Sequence, residues 1–341
     1  MRTSLPGAGK AREGSATGRM TIKLVGLAIV ASYLVTLLGY QAVKRSRVAT
    51  LSHGSRIAMT AAGPIEYGLD GTGPTVVILP GTFGGFDQAM QAGGPLVAAG
   101  FRVLGVSRPG YLNTPIAAGR TPAEQANAVA MLIDSLDLGP VAVVAISGGG
   151  PAALELASRH PGSVARLVLF AALSGPKAQA AAQPTRLTRI TDRLFGEGFL
   201  TWWQTKRYQA SGTAVLASPI FGEDSRRRLG DDPTKLAKFF QLAWFRFPPA
   251  LREAGYRNDR EQFGSFVFEA FDAIKAPTLI IHGTADRNAP IEHGDRAARE
   301  IAGAEYWRIE GGDHYSSIAR EDEVWGRVAA FLRQPTLLPA R

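Results

Sequence analysis

The sequence predicts an α/β protein with a doubly wound, mostly parallel β-sheet and a helical lid, preceded by one transmembrane helix. Through the first half of the chain, apolar runs of strand length alternate with helical patterns, which is the order that places parallel strands between helices. A long helix-rich stretch then interrupts this alternation before it resumes. Near the N-terminus, an uncharged run of about 20 residues would cross roughly 30 Å of hydrocarbon as a helix.

The composition limits the classes of function. At 341 residues the chain is long enough for one large α/β domain with additional segments. It contains no cysteine, which excludes disulfides, thiolate chemistry and cysteine zinc sites. The net charge is +9, but no basic helix or aromatic RNA motif accompanies it, so no nucleic-acid partner is expected. No ligand spacing predicts a metal ion or an organic cofactor.

The N-terminal segment is predicted to anchor the protein in a membrane. Residues 1–20 are rich in small and basic residues without hydrophobic periodicity, which predicts a disordered tail. Residues 21–43 are predicted to form the transmembrane helix, and residues 24–43 of it carry no charge. A cleaved signal peptide is the alternative. It is disfavoured because Tyr40 occupies a position at which a cleavage site needs a small residue.

The side of the membrane on which the catalytic domain lies stays open. Basic residues flank the span almost equally, at Arg12, Arg19 and Lys23 before it and at Lys44, Arg45 and Arg47 after it. A start at Met20 instead of Met1 would tilt this balance toward a cytoplasmic catalytic domain. The sequence does not decide between the two starts.

Residues 52–175 are predicted to form the first part of the α/β core. Predicted strands lie at 56–60, 65–67, 75–79, 101–106, 141–146 and 166–170. Thr121 and Glu124 form a capping box with Pro122 at the first helical position, which predicts a helix there. Asp87 is predicted to cap the helix that follows the third strand.

Residues 176–272 are predicted to form the helical lid, because the segment is helical in pattern and dense in aromatic residues. Residues 273–335 are predicted to form the second part of the core, with strands at 277–282 and 305–309 and a C-terminal helix. Ligands bind at the carboxyl edge of open α/β sheets. The lid is therefore expected to cover a substrate site at that edge.

Ser147 is the predicted nucleophile. It follows the apolar run 141–146 and stands between the small residues Ala145, Gly148 and Gly149. A strand that turns this sharply into a helix holds the residue at the bend in a strained conformation with its side chain exposed, and only small neighbours fit. The N–H group of Gly148 is the first predicted donor to an oxyanion.

A base and an acid follow Ser147 in the chain. His314 lies in a glycine-rich loop after the last predicted strand and is the predicted base. Asp286 directly follows the preceding strand and is the predicted acid, since residues 171–183 offer no competing carboxylate. The order serine, aspartate, histidine is that of one known hydrolase arrangement. Asp313, beside the histidine, is expected to be a solvated loop residue.

The second oxyanion donor is expected in the loop after strand 75–79. Thr82 is the preferred donor and Phe83 the alternative, because the glycines around them allow this loop to approach a substrate closely. Phe83 is also the predicted substrate-binding residue.

From about residue 56 to residue 332 the chain resembles the α/β-hydrolase superfamily with a lid between the sixth and seventh core strands. The matching motifs are the loop Pro80–Thr82, the loop Ser107–Tyr111, the elbow at Ser147, Asp286 and His314. Pro80 stands where the superfamily often has histidine, and Ser107 where it often has aspartate. The resemblance implies a chemistry shared by esterases, lipases, peptidases, carbon–carbon bond hydrolases and perhydrolases.

The expected function is that of a carboxylesterase-like or lipase-like serine hydrolase. It would act through an acyl-enzyme on a small-molecule ester or related acyl substrate, which is expected to be apolar. A carbon–carbon bond hydrolase with the same three residues is the enzymatic alternative. A membrane-tethered binding protein of this fold without catalysis is the alternative from another class. Acyl chain length, oligomeric state and physiological role are not determined by the sequence.

Overall fold

The computed structural model of this protein describes residues 10–177 and 185–335. Contacts divide the chain into two units, residues 1–49 and residues 50–341. The first unit holds most of helix α1 (Lys10–His53), and the second holds the β-sheet and the other described helices.

Helix α1 is longer than the predicted transmembrane helix at both ends. Residues 10–20, which are predicted to be disordered, are helical, and residues 1–9 lie outside the described part of the chain. The stretch Arg19–His53 has 35 residues and reaches a mean hydropathy of 2.0, so it is long and apolar enough to cross a membrane. A signal sequence or the core helix of a soluble protein would meet the same two criteria.

An eight-stranded sheet forms the centre of the second unit. Its strands are β1 (Arg56–Thr60), β2 (Gly63–Asp70), β3 (Thr75–Leu79), β4 (Arg102–Val106), β5 (Val141–Ile146), β6 (Val164–Phe170), β7 (Thr278–Gly283) and β8 (Glu305–Ile309). Their order across the sheet is β1-β2-β4-β3-β5-β6-β7-β8. β2 pairs antiparallel with β1 and β4, and all other neighbours are parallel. The predicted fold class is confirmed.

Helices cover both faces of the sheet. The helices between the strands and after them are α2 (Phe86–Ala98), α3 (Pro122–Ser135), α4 (Gly150–Arg159), α10 (Glu292–Glu300), α11 (Ser316–Ala319) and α12 (Glu321–Arg333). Alternate strand residues point to opposite faces. Val77 and Val143 accordingly share a buried cluster with α3 and α4, whereas Val76 and Val144 share one with α2 and α12.

Two predicted helix starts have different outcomes. The capping box of α3 is confirmed, because the Thr121 hydroxyl accepts the Glu124 amide at 3.2 Å and the Glu124 carboxylate accepts the Thr121 amide at 2.8 Å. Asp87 does not cap α2, which begins at Phe86 after Gly85. The Asp87 carboxylate instead pairs with the Arg252 guanidinium at 2.7 Å.

The segment between β6 and β7 is the helical insertion. Its described helices are α5 (Arg186–Phe195), α6 (Phe199–Ala210), α7 (Glu223–Asp231), α8 (Pro233–Trp244) and α9 (Glu253–Ser265). It has a buried cluster of its own, which includes Phe221, Leu229 and Phe239. Tyr315, from the loop after β8, packs against this cluster with its ring centroid 5.2 Å from that of Phe239. The predicted lid, residues 176–272, falls in this segment, and residues 178–184 lie outside the described part.

Candidate active site

Ser147 lies at the sharp turn between β5 and α4. Its φ angle is +52°, in the left-handed region that non-glycine residues seldom adopt. The glycines after it are required because a side chain there would clash with neighbouring atoms, and not because of their φ angles. A Cβ atom at Gly149 would overlap the Leu79 carbonyl oxygen, and one at Gly150 would overlap the Leu173 carbonyl oxygen. The turn therefore holds Ser147 in a strained conformation, as the sequence predicts.

Ala145, where glycine is common in this motif, does not crowd the turn. It lies within β5, opposite Leu79 of β3 and Leu169 of β6, and is fully buried. Its methyl group belongs to the core cluster beneath the sheet. The bend begins only at Ser147, so the methyl group fills core space ahead of it.

Thr82 and Gly148 lie close together beside Ser147. A Cβ atom placed on Gly148 would lie 2.9 Å from Thr82 Oγ1 and 3.1 Å from Thr82 N. The Phe83 amide is already occupied, since it donates to the Tyr111 hydroxyl at 3.3 Å. Thr82 therefore fits the position of the second oxyanion donor better than Phe83. Phe83 itself has a φ angle of +67° and lines the adjoining cavity.

His314 and Asp286 are joined by a hydrogen bond of 2.7 Å between His314 Nδ1 and Asp286 Oδ2. The other carboxylate oxygen, Oδ1, accepts the amides of Asn288 and Ala289, each at 2.8 Å. Burial disfavours the charged carboxylate, but His314 and the Ala289 amide outweigh this effect and lower the pKa of Asp286. The carboxylate therefore stays charged and holds Nδ1–H of the imidazole, which leaves Nε2 as the acceptor.

Ser147 and His314 line the same cavity. Within the described residues no hydrogen bond joins the Ser147 hydroxyl directly to His314. Such contacts are often long before a substrate binds. The structure thus brings the predicted nucleophile, base and acid to one edge of the sheet.

His282, which ends β7, supports the loop that carries Asp286. Its Nε2–H donates to the Ala289 carbonyl at 2.7 Å and lies 3.8 Å from Asp286 Oδ2. Burial lowers the pKa of His282, so the ring is neutral with its proton on Nε2. The Ala289 peptide is held at its carbonyl by this ring, while its amide donates to Asp286.

A buried arginine braces the oxyanion loop. Arg108 donates from Nε to the Pro80 carbonyl at 2.9 Å and from Nη2 to the Gly81 carbonyl at 3.0 Å. Its guanidinium pairs with Asp259 of α9 at 2.6 Å, and the Tyr111 hydroxyl donates to the same carboxylate at 2.6 Å. Burial disfavours the guanidinium charge, but Asp259 outweighs it and raises the pKa of Arg108. The insertion is thereby tied to the loop before Thr82.

A carboxylate from β2 lies beside Ser107. The fully buried Glu66 accepts the Ser107 hydroxyl at 2.8 Å, and Ser107 Oγ accepts the Phe86 amide at 2.9 Å. Glu66 also accepts the amide and side chain of Asn113, at 3.1 and 2.6 Å. The start of α2 is thus fixed through Ser107, which follows β4, and a carboxylate on β2.

The prediction of a solvated Asp313 is wrong. Asp313 is 1% exposed and turns away from His314 toward the insertion. Its carboxylate accepts the Gly222 amide at 2.6 Å, the Ser225 hydroxyl at 2.8 Å and the Tyr315 amide at 2.9 Å. Adjacent side chains point to different sides of the loop, so Asp313 ties the loop that carries the predicted base to the insertion.

A cavity of about 1300 Å³ opens beside Ser147. The insertion supplies much of its lining, and the rest comes from the loops after β3, β5, β7 and β8 and from helices α2, α11 and α12. Its charged lining residues other than His314 are Lys177, Arg207, Lys238, Arg246, Glu253 and Glu321. Across residues 10–177 and 185–335, no group of three or more His, Asp or Glu side chains is arranged to hold a metal ion.

The fold and this site define an α/β-hydrolase. A family model described as the alpha/beta hydrolase fold matches residues 74–320, so the chain belongs to that family. The solved α/β hydrolase fold protein from Nakamurella multipartita superposes with a TM-score of 0.71 at 32% identity, over 82% of this chain and 99% of that chain. The predicted superfamily is confirmed.

Two curated relatives differ in the reactions that their names state. The 2-hydroxy-6-oxo-6-phenylhexa-2,4-dienoate hydrolase of Comamonas testosteroni is 25% identical over 280 residues, which are 79% of this chain and 91% of that protein. The pimeloyl-(acyl-carrier protein) methyl ester esterase of Aromatoleum aromaticum is 29% identical over 255 residues, or 73% of this chain and 94% of that protein. Both are hydrolases of this fold. The relatives therefore include carbon–carbon bond hydrolases and esterases.

Proposed function

We propose that this protein is a serine hydrolase that forms an acyl-enzyme on Ser147. The observation that carries the proposal is the hydrogen bond of 2.7 Å between His314 Nδ1 and Asp286, in the cavity that Ser147 also lines. A charged carboxylate at Nδ1 makes Nε2 of His314 a base, and a serine hydroxyl becomes nucleophilic when such a base removes its proton. The strained turn presents Ser147 to a substrate.

In the first half-reaction, Ser147 Oγ attacks the carbonyl carbon of an ester while its proton passes to His314 Nε2. The carbonyl oxygen becomes an oxyanion, and the N–H groups of Thr82 and Gly148 donate hydrogen bonds to it. His314 then gives its proton to the leaving alcohol as the tetrahedral intermediate collapses. The acyl group stays on Ser147.

In the second half-reaction, water attacks the acyl-enzyme and His314 takes its proton. The same two amides hold the second oxyanion, and the proton returns to Ser147 as the acid is released. Asp286 keeps the imidazole oriented and stabilises its charged form in both halves. The chain supplies every group that these steps use, and no metal or cofactor takes part.

The experiment that tests this proposal follows the acyl group itself. Mixing the enzyme with p-nitrophenyl esters should give a burst of nitrophenol before steady turnover, and quenched protein should carry the acyl mass on the peptide with Ser147. Turnover without any acylated serine would contradict the proposed mechanism.

Carbon–carbon bond hydrolysis is the second candidate, and the dienoate hydrolases among the relatives favour it. The same three residues would serve a vinylogous diketone whose carbon–carbon bond is cleaved by water. Comparing kcat/KM for matched short esters, long esters and such a diketone separates the two reactions. Preference for the diketone by more than about tenfold, or 1.4 kcal/mol of transition-state binding, would replace the ester assignment.

We further propose that α1 anchors the protein in a membrane as a single span. The support is the 35-residue stretch, in which an 18-residue window has a mean hydropathy of 2.0, and the exposed apolar side chains along it, such as Leu27 and Leu38. The full chain should sediment with membranes, resist carbonate extraction and keep its N-terminal residues. A soluble full-length chain would contradict the anchor, and a mature N-terminus beyond residue 43 would identify a signal peptide.

A further inference from the structure

The cavity beside Ser147 carries an excess of positive charge. Within the described residues, two of its lining cations, Lys177 and Arg246, have no carboxylate partner, and the neighbouring residues 178–184 contain no Asp or Glu. Arg207 also lines the cavity without a carboxylate partner among these residues, and its guanidinium carbon lies 4.9 Å from the Trp203 ring centroid. The remaining lining charges are paired. Lys238 pairs with Glu321 at 2.6 Å, and Glu253 faces Arg257 at 3.7 Å.

Arg246 lies against the loop that carries the proposed oxyanion donor. Its guanidinium carbon is 4.6 Å from the ring centroid of Phe83, the residue after Thr82. The Phe83 ring stacks in turn on Tyr256, with centroids 4.7 Å apart and planes 13° from parallel. A guanidinium that stacks through its flat face keeps its N–H edge free to bind an anion. The side chain is exposed, which places this charge at the open side of the cavity.

Lys177 lies in the insertion next to Phe263, which approaches the turn at Gly148. Its amide donates to the Phe263 carbonyl at 2.7 Å, and the Phe263 ring is 3.0 Å from the position that a Cβ of Gly148 would occupy. The side chain is partly buried. Burial lowers the pKa of Lys177, although Asp286 opposes this effect. A partly buried ammonium group without a partner is unfavourable, and an anion bound beside it would remove that cost.

We propose that Lys177 and Arg246 form a subsite for an anionic group that the substrate carries in addition to its scissile acyl bond. This inference rests on the proposed serine hydrolase function. Guanidinium and ammonium groups both bind carboxylates and phosphates. The cavity volume, about 1300 Å³, leaves room for a charged end as well as the reacting ester. The substrate is then amphiphilic, in contrast to the expected apolar one.

Two esters with the same acyl length test the subsite: p-nitrophenyl pentanoate, which ends in a methyl group, and mono-p-nitrophenyl glutarate, which ends in a carboxylate. The wild type should prefer the glutarate ester in kcat/KM. Lys177→Gln and Arg246→Gln should each lower kcat/KM for it by about tenfold, the size of one charge-assisted contact, and change that of the pentanoate less than about twofold. Raising the salt concentration should reduce the preference.

The matched control is Arg299→Gln, which removes one positive charge from an exposed side chain outside the cavity. It should leave both esters unchanged. Equal kcat/KM for the two esters, a preference for pentanoate, or equal losses on both esters in the Lys177 and Arg246 variants would overturn the subsite. Thermal melting curves of all variants show whether each is folded.

Competitive inhibition distinguishes the two anions. If the subsite takes a carboxylate, glutarate should inhibit more strongly than propyl phosphate. The reverse order would identify phosphate as the preferred anion. Neutral glutaramide should be the weakest inhibitor of the three. No inhibition by either anion would overturn the subsite.

A fluorophosphonate probe distinguishes failure of the subsite from failure of the proposed hydrolase function. If the probe labels Ser147 but the enzyme shows no preference for the charged ester, only the subsite is overturned. If the probe does not label the folded protein, the hydrolase proposal is contradicted, and calorimetric titration with glutarate still tests the subsite.

Discussion

The loops at the carboxyl edge of the sheet and the helical insertion contribute to the site in different ways. The loops after β5, β7 and β8 carry Ser147, Asp286 and His314. The Asp286 carboxylate is held by two amides of its own loop and by His314 of the neighbouring loop. The insertion reaches the same site through contacts between distant residues. Asp259 holds Arg108 and Ser225 holds Asp313, across 151 and 88 sequence positions. The difference suggests that the sheet supplies the reacting groups and the insertion aligns them.

Charge pairs in the protein differ in how much they stabilise it. The pair Arg108–Asp259 is almost fully buried, with 2% of each side chain exposed. Removing one partner of such a pair leaves an uncompensated buried charge and costs about 3–5 kcal/mol. An exposed pair such as Arg299–Glu300 is worth about 0–1 kcal/mol. Substitutions in the loops should therefore remove activity, and those at the insertion contacts should change stability and alignment together.

The largest expected effect is that of Ser147→Ala. Loss of the attacking oxygen should lower kcat on an ester by up to about 10⁶-fold, and the melting temperature should hardly change. Steady-state turnover and thermal unfolding of the same preparation measure both quantities. Residual turnover within tenfold of wild type would place the nucleophile elsewhere.

Asp286→Asn should have the second largest effect, a loss in kcat of about 10⁴-fold. An amide cannot hold the imidazole in the tautomer that leaves Nε2 free. Asp272→Asn is the matched control, since Asp272 is exposed and has no contact with the proposed triad. Its activity should equal that of the wild type. Similar losses in both variants would show that negative charge in general, rather than the contact with His314, is required.

Asp259→Asn should affect both regions. The free energy of unfolding should fall by about 3–5 kcal/mol, because Arg108 stays buried without its partner. Turnover should also decrease as the loop before Thr82 loses its brace. The double variant Arg108→Met/Asp259→Leu buries no charge and should be more stable than the single variant. If it is also fully active, the brace is not needed for catalysis.

Asp313→Asn should have a smaller effect, with a loss of about 1–3 kcal/mol in unfolding free energy. The new amide keeps the shape of the side chain, but it has only one oxygen to accept the hydrogen bonds that Asp313 receives. Ser225→Ala removes only one of these hydrogen bonds and should cost about 1 kcal/mol. Urea unfolding measures both losses, and an effect of Ser225→Ala larger than that of Asp313→Asn would contradict this arrangement.

The last expected effect is absent at neutral pH and appears only on acidification. Burial, together with His282 and Lys177, lowers the pKa of His293 to about 4, from an ordinary value of 6.5. The unfolded chain therefore binds a proton here first, so the free energy of unfolding should fall as the pH drops from 6.5 toward 4, with no further loss from this group below that. Urea midpoints of wild type and His293→Asn across this range isolate the contribution. Parallel pH curves for the two proteins would contradict it.

Much of the sheet and its edge is predictable because the signals are local. Apolar runs identify the strands, the Thr121–Glu124 capping box identifies α3, and the small residues after Ser147 predict the turn. Contacts between distant segments have no such signal. Nothing near Ser107 indicates that Glu66 accepts its hydroxyl, and nothing near Asp313 indicates that it faces α7. These contacts depend on how strands and helices pack against each other.

Reaction with a fluorophosphonate probe, followed by peptide mapping, tests the central claim most directly, because the probe reacts with a serine only when a base activates it. The proposed mechanism predicts one modified residue, Ser147, in folded wild-type protein. It predicts no labelling in Ser147→Ala and slow labelling in His314→Ala. Absence of labelling in folded wild-type protein, or labelling that persists in Ser147→Ala, would contradict it.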